Sequence, residues 1–154
     1  MLPIEWEVLD FSYRLQNEDE VAVTGFSELG LTKIRKASTL HGGDIGIILE
    51  FPLTDERGRN VVEVYRRAFF VEDCYEHCQI VGIADWGNIR IIGDEAFASP
   101  MPHIGITPSR LEFLPSDWKN VEEIGERAFA FCHMLTSIAP SWGGVSSIQP
   151  EAFF

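Results

Sequence analysis

One nine-residue pattern recurs four times and constrains the chain more than anything else in it. The copies are Val61–Phe69, Ile89–Phe97, Val121–Phe129 and Val145–Phe153, each reading aliphatic-x-x-aliphatic-x-x-x-Ala-Phe. The closing Phe recurs at spacings of 28, 32 and 24 residues. Trp86, Trp118 and Trp142 each stand three residues before an opening aliphatic, so their spacings of 32 and 24 match those of the corresponding Phe residues. In the first copy Gly58 takes the Trp place. Two landmarks that keep step over unequal intervals mark an array of structural repeats, each too small to bury its own apolar edge.

That reading assigns roles. Ala68, Ala96, Ala128 and Ala152 let neighbouring backbones approach, and Phe69, Phe97, Phe129 and Phe153 fill the space between them as one inward column. The turns Trp86-Gly87-Asn88 and Trp118-Lys119-Asn120 reverse the chain. A short strand is expected at Ile80–Ala84, matched by Leu135–Ala139, with His103–Pro108 in the same place in the third repeat. On that alignment 109–117 and 70–78 are loop insertions, which an array tolerates because they project from the stack. The Trp rings are expected to pack on neighbouring repeats rather than to form an exposed aromatic strip.

The N-terminal part differs. Phe11–Leu15 and Val21–Gly25 alternate like strands around the polar turn 16–20, which predicts a hairpin. Such a hairpin is suited to cover one end of the array. Ile45–Pro52 reads as a strand, and 27–44 is placed only as a connection. The expected organisation is one domain over 1–154, with a capping region at 1–44 and repeats over 45–154.

The repeats resemble the BspA-type leucine-rich repeat family, whose units join a Leu-x-x-Ile-x-Ile-Pro strand to an Ile-Gly-x-x-Ala-Phe-x-x-Cys stretch. Val121–Pro140 is the best match, with Cys132 and Leu135 where the pattern has them. Repeat lengths are uneven, Pro100 replaces the Cys in one copy, and the final strand shortens to Ile138-Ala139-Pro140. The resemblance implies a β-rich leucine-rich-repeat solenoid, of the α/β-type repeat superfold with short strands and turns. About four coils and an N-terminal β-hairpin cap are expected. It also implies an adhesin-like binding module at a microbial surface, with no shared catalytic residue.

Charge narrows the partners. With 24 acidic and 12 basic residues the net charge is −12, which repels phosphate backbones and anionic lipid and so disfavours nucleic acid. No apolar run is long enough to span a membrane, and the N-terminal residues do not form a signal peptide. As it stands the chain reads as cytoplasmic, whereas the resemblance points to a cell-surface or secreted setting. Cys74, Cys78 and Cys132 are too few and odd in number for a disulfide framework.

Catalysis and metal binding find little support. Cys74 and Cys78 with His77, joined by Cys132-His133, fall short of the paired spacing of a closed zinc site. A Cys nucleophile needs an adjacent base and an electropositive setting, and neighbours on a strand face opposite ways. Glu72-Asp73-Glu76 lacks the glycine-bearing loop that calcium binding requires. The expectation is therefore a non-enzyme with neither metal nor cofactor.

Its partner is expected to be a protein, with a surface glycan as the other ligand class. The binding face is expected at Val81, Gly82, Ala84, Gly105, Thr107, Thr136, Ser137 and Ala139, which lie between inward aliphatics. The alternative is a cytoplasmic, immunity-type inhibitor whose acidic surface neutralises a basic partner. Self-association through the hydrophobic C-terminal end, Ala152-Phe153-Phe154, is a further expectation.

Overall fold

A computed structural model describes residues 4–42, 45–70, 79–100, 109–136 and 144–154. The repeated aliphatics form a parallel ladder. Strands β4 (Asn60–Val64), β6 (Ile91–Ile92), β7 (Glu123–Ile124) and β8 (Ser147–Ile148) pair in sequence. Their register sets Glu63, Ile91, Glu123 and Ser147 in one row and Val64, Ile92, Ile124 and Ile148 in the next. Alternate residues of a strand face opposite ways, so the second row supplies the core, where Val64, Ile92 and Ile124 are fully buried.

Beyond each of these strands the chain turns through a left-handed residue. Arg67, Glu95, Arg127 and Glu151 have φ of 57, 54, 55 and 57°, a region that costs a non-glycine residue free energy. The turn brings the Ala-Phe pair inward and aligns its backbone with the next repeat. Phe69 N donates to the Ala96 carbonyl (2.8 Å), Phe97 N to that of Ala128 (2.8 Å), and Phe129 N to that of Ala152 (2.7 Å). The left-handed side chains meet at the surface as alternating charges, with Arg67–Glu95 at 3.7 Å and Arg127–Glu151 at 3.2 Å.

Inside, the four phenyl rings form the expected column. Successive centroids are 5.4, 5.4 and 5.1 Å apart and the rings lie within 9° of parallel. Offset stacks of this kind add about 0.5–1.5 kcal/mol per pair beyond the area they bury. A second column stands beside it, in which Trp86 lies parallel to Phe51 (6.0 Å, 6°) and edge-on to Trp118 (5.2 Å). Phe51, not Gly58, thus fills the Trp place of the first repeat. Trp86 and Trp118 are buried, as packing required; Trp142 lies outside the described residues.

A second sheet faces the first across this core. Strand β3 (Ile47–Glu50) pairs in parallel with β5 (Ile80–Asp85), Ile47 beside Ile80 and Leu49 beside Ile83, all four buried. A parallel bridge from Gly82 to Phe113 continues it. The third repeat's strand place is therefore held by Leu111–Phe113. The alignment that put His103–Pro108 there and read 109–117 as an insertion is corrected; 101–108 lies outside the described residues.

At the N-terminal end, β1 (Phe11–Leu15) and β2 (Glu20–Phe26) form an antiparallel hairpin, and β2 pairs in parallel with β4. Phe26 joins the phenyl column edge-on to Phe69 at 5.1 Å. The segment read only as a connection contains a helix, α1 (Glu28–Leu40), capped by Ser27, whose hydroxyl accepts from Gly30 N. Its inward face is Gly30, Ile34 and Ser38. Gly30 is required there because a Cβ would collide with the Asp10 carbonyl oxygen.

Candidate functional site

The outward side of β3–β5 and its extension is the candidate binding face. Pairing sets Ile48 beside Gly82, and the bridge sets Phe113 beside Gly82 on the other flank. Because Gly82 has no side chain, the half-buried Phe113 ring lies directly over it, and a Cβ at Gly82 would collide with that ring. The ring is held by its backbone: Glu112 N donates to the Val81 carbonyl (2.7 Å) and Ile83 N to that of Phe113 (3.2 Å). Thr136 N then donates to the Glu112 carbonyl at 3.2 Å, carrying the face one repeat further.

The result is an apolar strip, Ile48 and Phe113, bordered by exposed Glu50, Ala84, Asp85, Glu112 and Thr136. A rigid aromatic on a strand surface with a polar border is the usual anatomy of a protein-recognition patch.

Of the residues expected on this face, Ala84 and Thr136 are exposed, whereas Val81 and Gly82 are buried. Val81 is shielded because its methyls press on Gly46, where a Cβ would stand 2.8 Å from Val81 Cγ1; Gly82 is shielded by Phe113. Gly105, Thr107, Ser137 and Ala139 lie outside the described residues. Phe113 is the residue that sequence reasoning missed. Its signal was present in Leu111-Glu112-Phe113-Leu114-Pro115, an apolar strand pattern ending shortly before Trp118.

The turn edge is polar and repetitive. Asn88 Nδ2 donates to the Leu53 carbonyl (3.3 Å) and Asn120 Nδ2 to that of Gly87 (3.1 Å), so these two turn asparagines each tie their repeat to the one before.

Cys132 is packed away from chemistry. Its thiol donates to the Phe97 carbonyl at 3.2 Å, and burial, against a hydrogen bond with Ser109, pushes its pKa up to about 12. At neutral pH it is a protonated filler rather than a thiolate nucleophile. His133 is exposed, its ring 6.2 Å from that of Phe131. Among the described residues no group of three or more His, Cys, Asp or Glu is placed to hold a metal ion. Cys74, His77, Cys78 and the Glu72-Asp73-Glu76 cluster lie outside those residues. Among the described residues no helix is long and apolar enough to cross a membrane.

No family model matches the chain, and no curated protein matches its sequence. Among solved structures, the chain is similar to a crystal structure of a leucine-rich repeat protein from T. pallidum. The TM-score is 0.60 at 22% identity, and the match covers 97% of this chain and 66% of that one. The fold is thus that of a leucine-rich repeat protein. The chain spans only about two thirds of that protein's length.

Proposed function

We propose that this chain is a non-catalytic binding module, a BspA-type solenoid of four coils with its N-terminal hairpin as a cap, which holds a protein partner on the β3–β5 face. The observation that supports it is the Phe113 ring seated over Gly82 between Ile48 and a polar border. A half-buried aromatic held this way loses little conformational freedom on binding, which is what makes such residues energetic anchors. The Cys132 environment agrees with a binding rather than a catalytic role. The setting that suits this reading is adhesion at a cell surface, where the ligand is a protein or a surface glycan.

The test is capture of ligands from native lysate and culture medium by the immobilised chain, compared with an Ala84→Arg/Thr136→Arg variant. Both positions are exposed, so thermal unfolding should be unchanged while capture falls at least tenfold. Equal capture by the two proteins refutes the assignment of this face. Recovery of only glycan-bearing ligands, lost on deglycosylation, turns the reading to carbohydrate recognition.

A further inference from the structure

The six-stranded sheet carries a second surface, and its chemistry is the opposite of the strip around Phe113. Its outward row runs Glu63, Ile91, Glu123, Ser147 across four adjacent strands. A trough of about 390 Å³ is lined by the first three of these, Glu63, Ile91 and Glu123. Ile91 belongs to its floor, Glu63, Asp94, Glu123 and Glu126 are its acids, and Arg66 is the cation among its lining residues.

Two of these acids have neutral hydrogen-bond partners. Glu63 accepts from Gln16 Nε2 at 2.7 Å and Asp94 from the backbone N–H of Glu126 at 2.8 Å. Burial, with the charges of Glu123 and Asp94 and against the Gln16 hydrogen bond and Arg14, holds the Glu63 carboxyl above its ordinary value. A cation placed beside it would remove that unfavourable energy. The chain as a whole carries a net charge of −12, which steers a basic partner toward it.

Strand spacing sets the geometry a ligand must meet. Glu63 and Glu123 stand on either side of Ile91, two strand intervals apart, hence about 9.6 Å at roughly 4.8 Å per interval. A polyproline-II segment repeats its direction every three residues and rises about 3.1 Å per residue, so side chains at i and i+3 point the same way about 9.3 Å apart. A fully extended strand has no such match, because residues on one face fall about 6.7 or 13 Å apart.

We propose that this trough docks a basic, Pro-rich segment of a partner protein in polyproline-II form, with cations at i and i+3 set against Glu63 and Glu123 and the intervening residues over Ile91. The site is separate from the Phe113 face, and either assignment can fail without the other.

The test is fluorescence anisotropy with two labelled peptides of one composition, one with Lys-Pro-Pro-Lys spacing and one with the lysines adjacent. The spaced peptide should bind the intact chain at least tenfold more tightly. Glu63→Gln/Glu123→Gln should reduce it to the level of the adjacent-lysine peptide. Glu18→Gln/Glu56→Gln, which removes the same charge outside the trough, should cost less than threefold, and Ala84→Arg/Thr136→Arg no more. Circular dichroism and thermal unfolding establish that each variant is folded. Equal binding of the two peptides, unchanged binding by the trough variant, or equal losses in the two Gln variants would each overturn the proposal.

Discussion

Phe97 occupies the middle of the phenyl column and is the most informative residue to remove. It stacks on Phe69 and Phe129, both at 5.4 Å, and meets Trp86 edge-on at 6.0 Å. Truncation to Ala loses about 2–3 kcal/mol of buried apolar surface. A phenyl-sized void of roughly 80 Å³, at about 24 cal/mol per Å³, adds about 2 kcal/mol if the repeats do not collapse. Phe97→Ala should therefore cost about 4–5 kcal/mol and lower Tm by about 10–15 °C for a chain of this size. Phe153 stacks on Phe129 at 5.1 Å and is itself only partly buried. Phe153→Ala should cost about 2 kcal/mol, less than half as much.

Urea unfolding followed by fluorescence of the buried Trp86 and Trp118 reads both variants. Phe97→Leu restores most of the volume without the stacking and should recover more than half of the loss. Equal costs at positions 97 and 153, or a Phe97→Ala cost below about 2 kcal/mol, would mean that the column is not what couples the repeats.

Three further outcomes are expected. Gly30→Ala should destabilise the chain by more than about 2 kcal/mol, contrary to helix propensity, because its methyl would enter the Asp10 carbonyl; a gain in Tm would refute the packing of α1. Glu95→Gly should be neutral or stabilise by up to about 1 kcal/mol, since relief at φ 54° offsets the loss of the 3.7 Å contact with Arg67, while Glu95→Val should cost more than about 1 kcal/mol. Equal Tm values for those two variants would count against the left-handed turn.

Asp55→Asn tests a buried acid. Burial alone would raise its pKa, but N–H groups of Arg59 and Arg57 and the Arg59 guanidinium at 2.8 Å hold it below its ordinary value. Its ionised form therefore adds stability that is complete above the unfolded value of about 4 and is lost as pH falls through the lower folded value. Asp55→Asn should cost about 1.5–3 kcal/mol at pH 7, and the gap from the unsubstituted chain should narrow below pH 4. A gap independent of pH would exclude this cause.

What the sequence made legible was periodic. The Ala-Phe pairs and their stacking followed from a repeat whose two landmarks move together, and the packing of Trp86 and Trp118 followed from the same register. Helix α1 was invisible because its buried stripe, Gly30, Ile34 and Ser38, holds one large apolar residue. The binding face was only half legible for a related reason. Pro108 and Pro140 both fall 11 residues after a Phe, and aligning them placed the extra residues after the third strand rather than before it. Phe113 was thereby assigned to a loop. Gly82 could not be recognised as covered until the Phe113 ring was placed on it, nor Val81 until its methyls were packed on Gly46.

The alternation of Arg67, Glu95, Arg127 and Glu151 has a consequence for how such an array can change in length. Excising the unit that contains Glu95 would set two guanidinium groups against each other, and duplicating any one unit would likewise bring identical charges together. Insertion or loss of two units at a time preserves the pairing of opposites. The smallest electrostatically neutral step in the growth of this architecture is therefore a doublet.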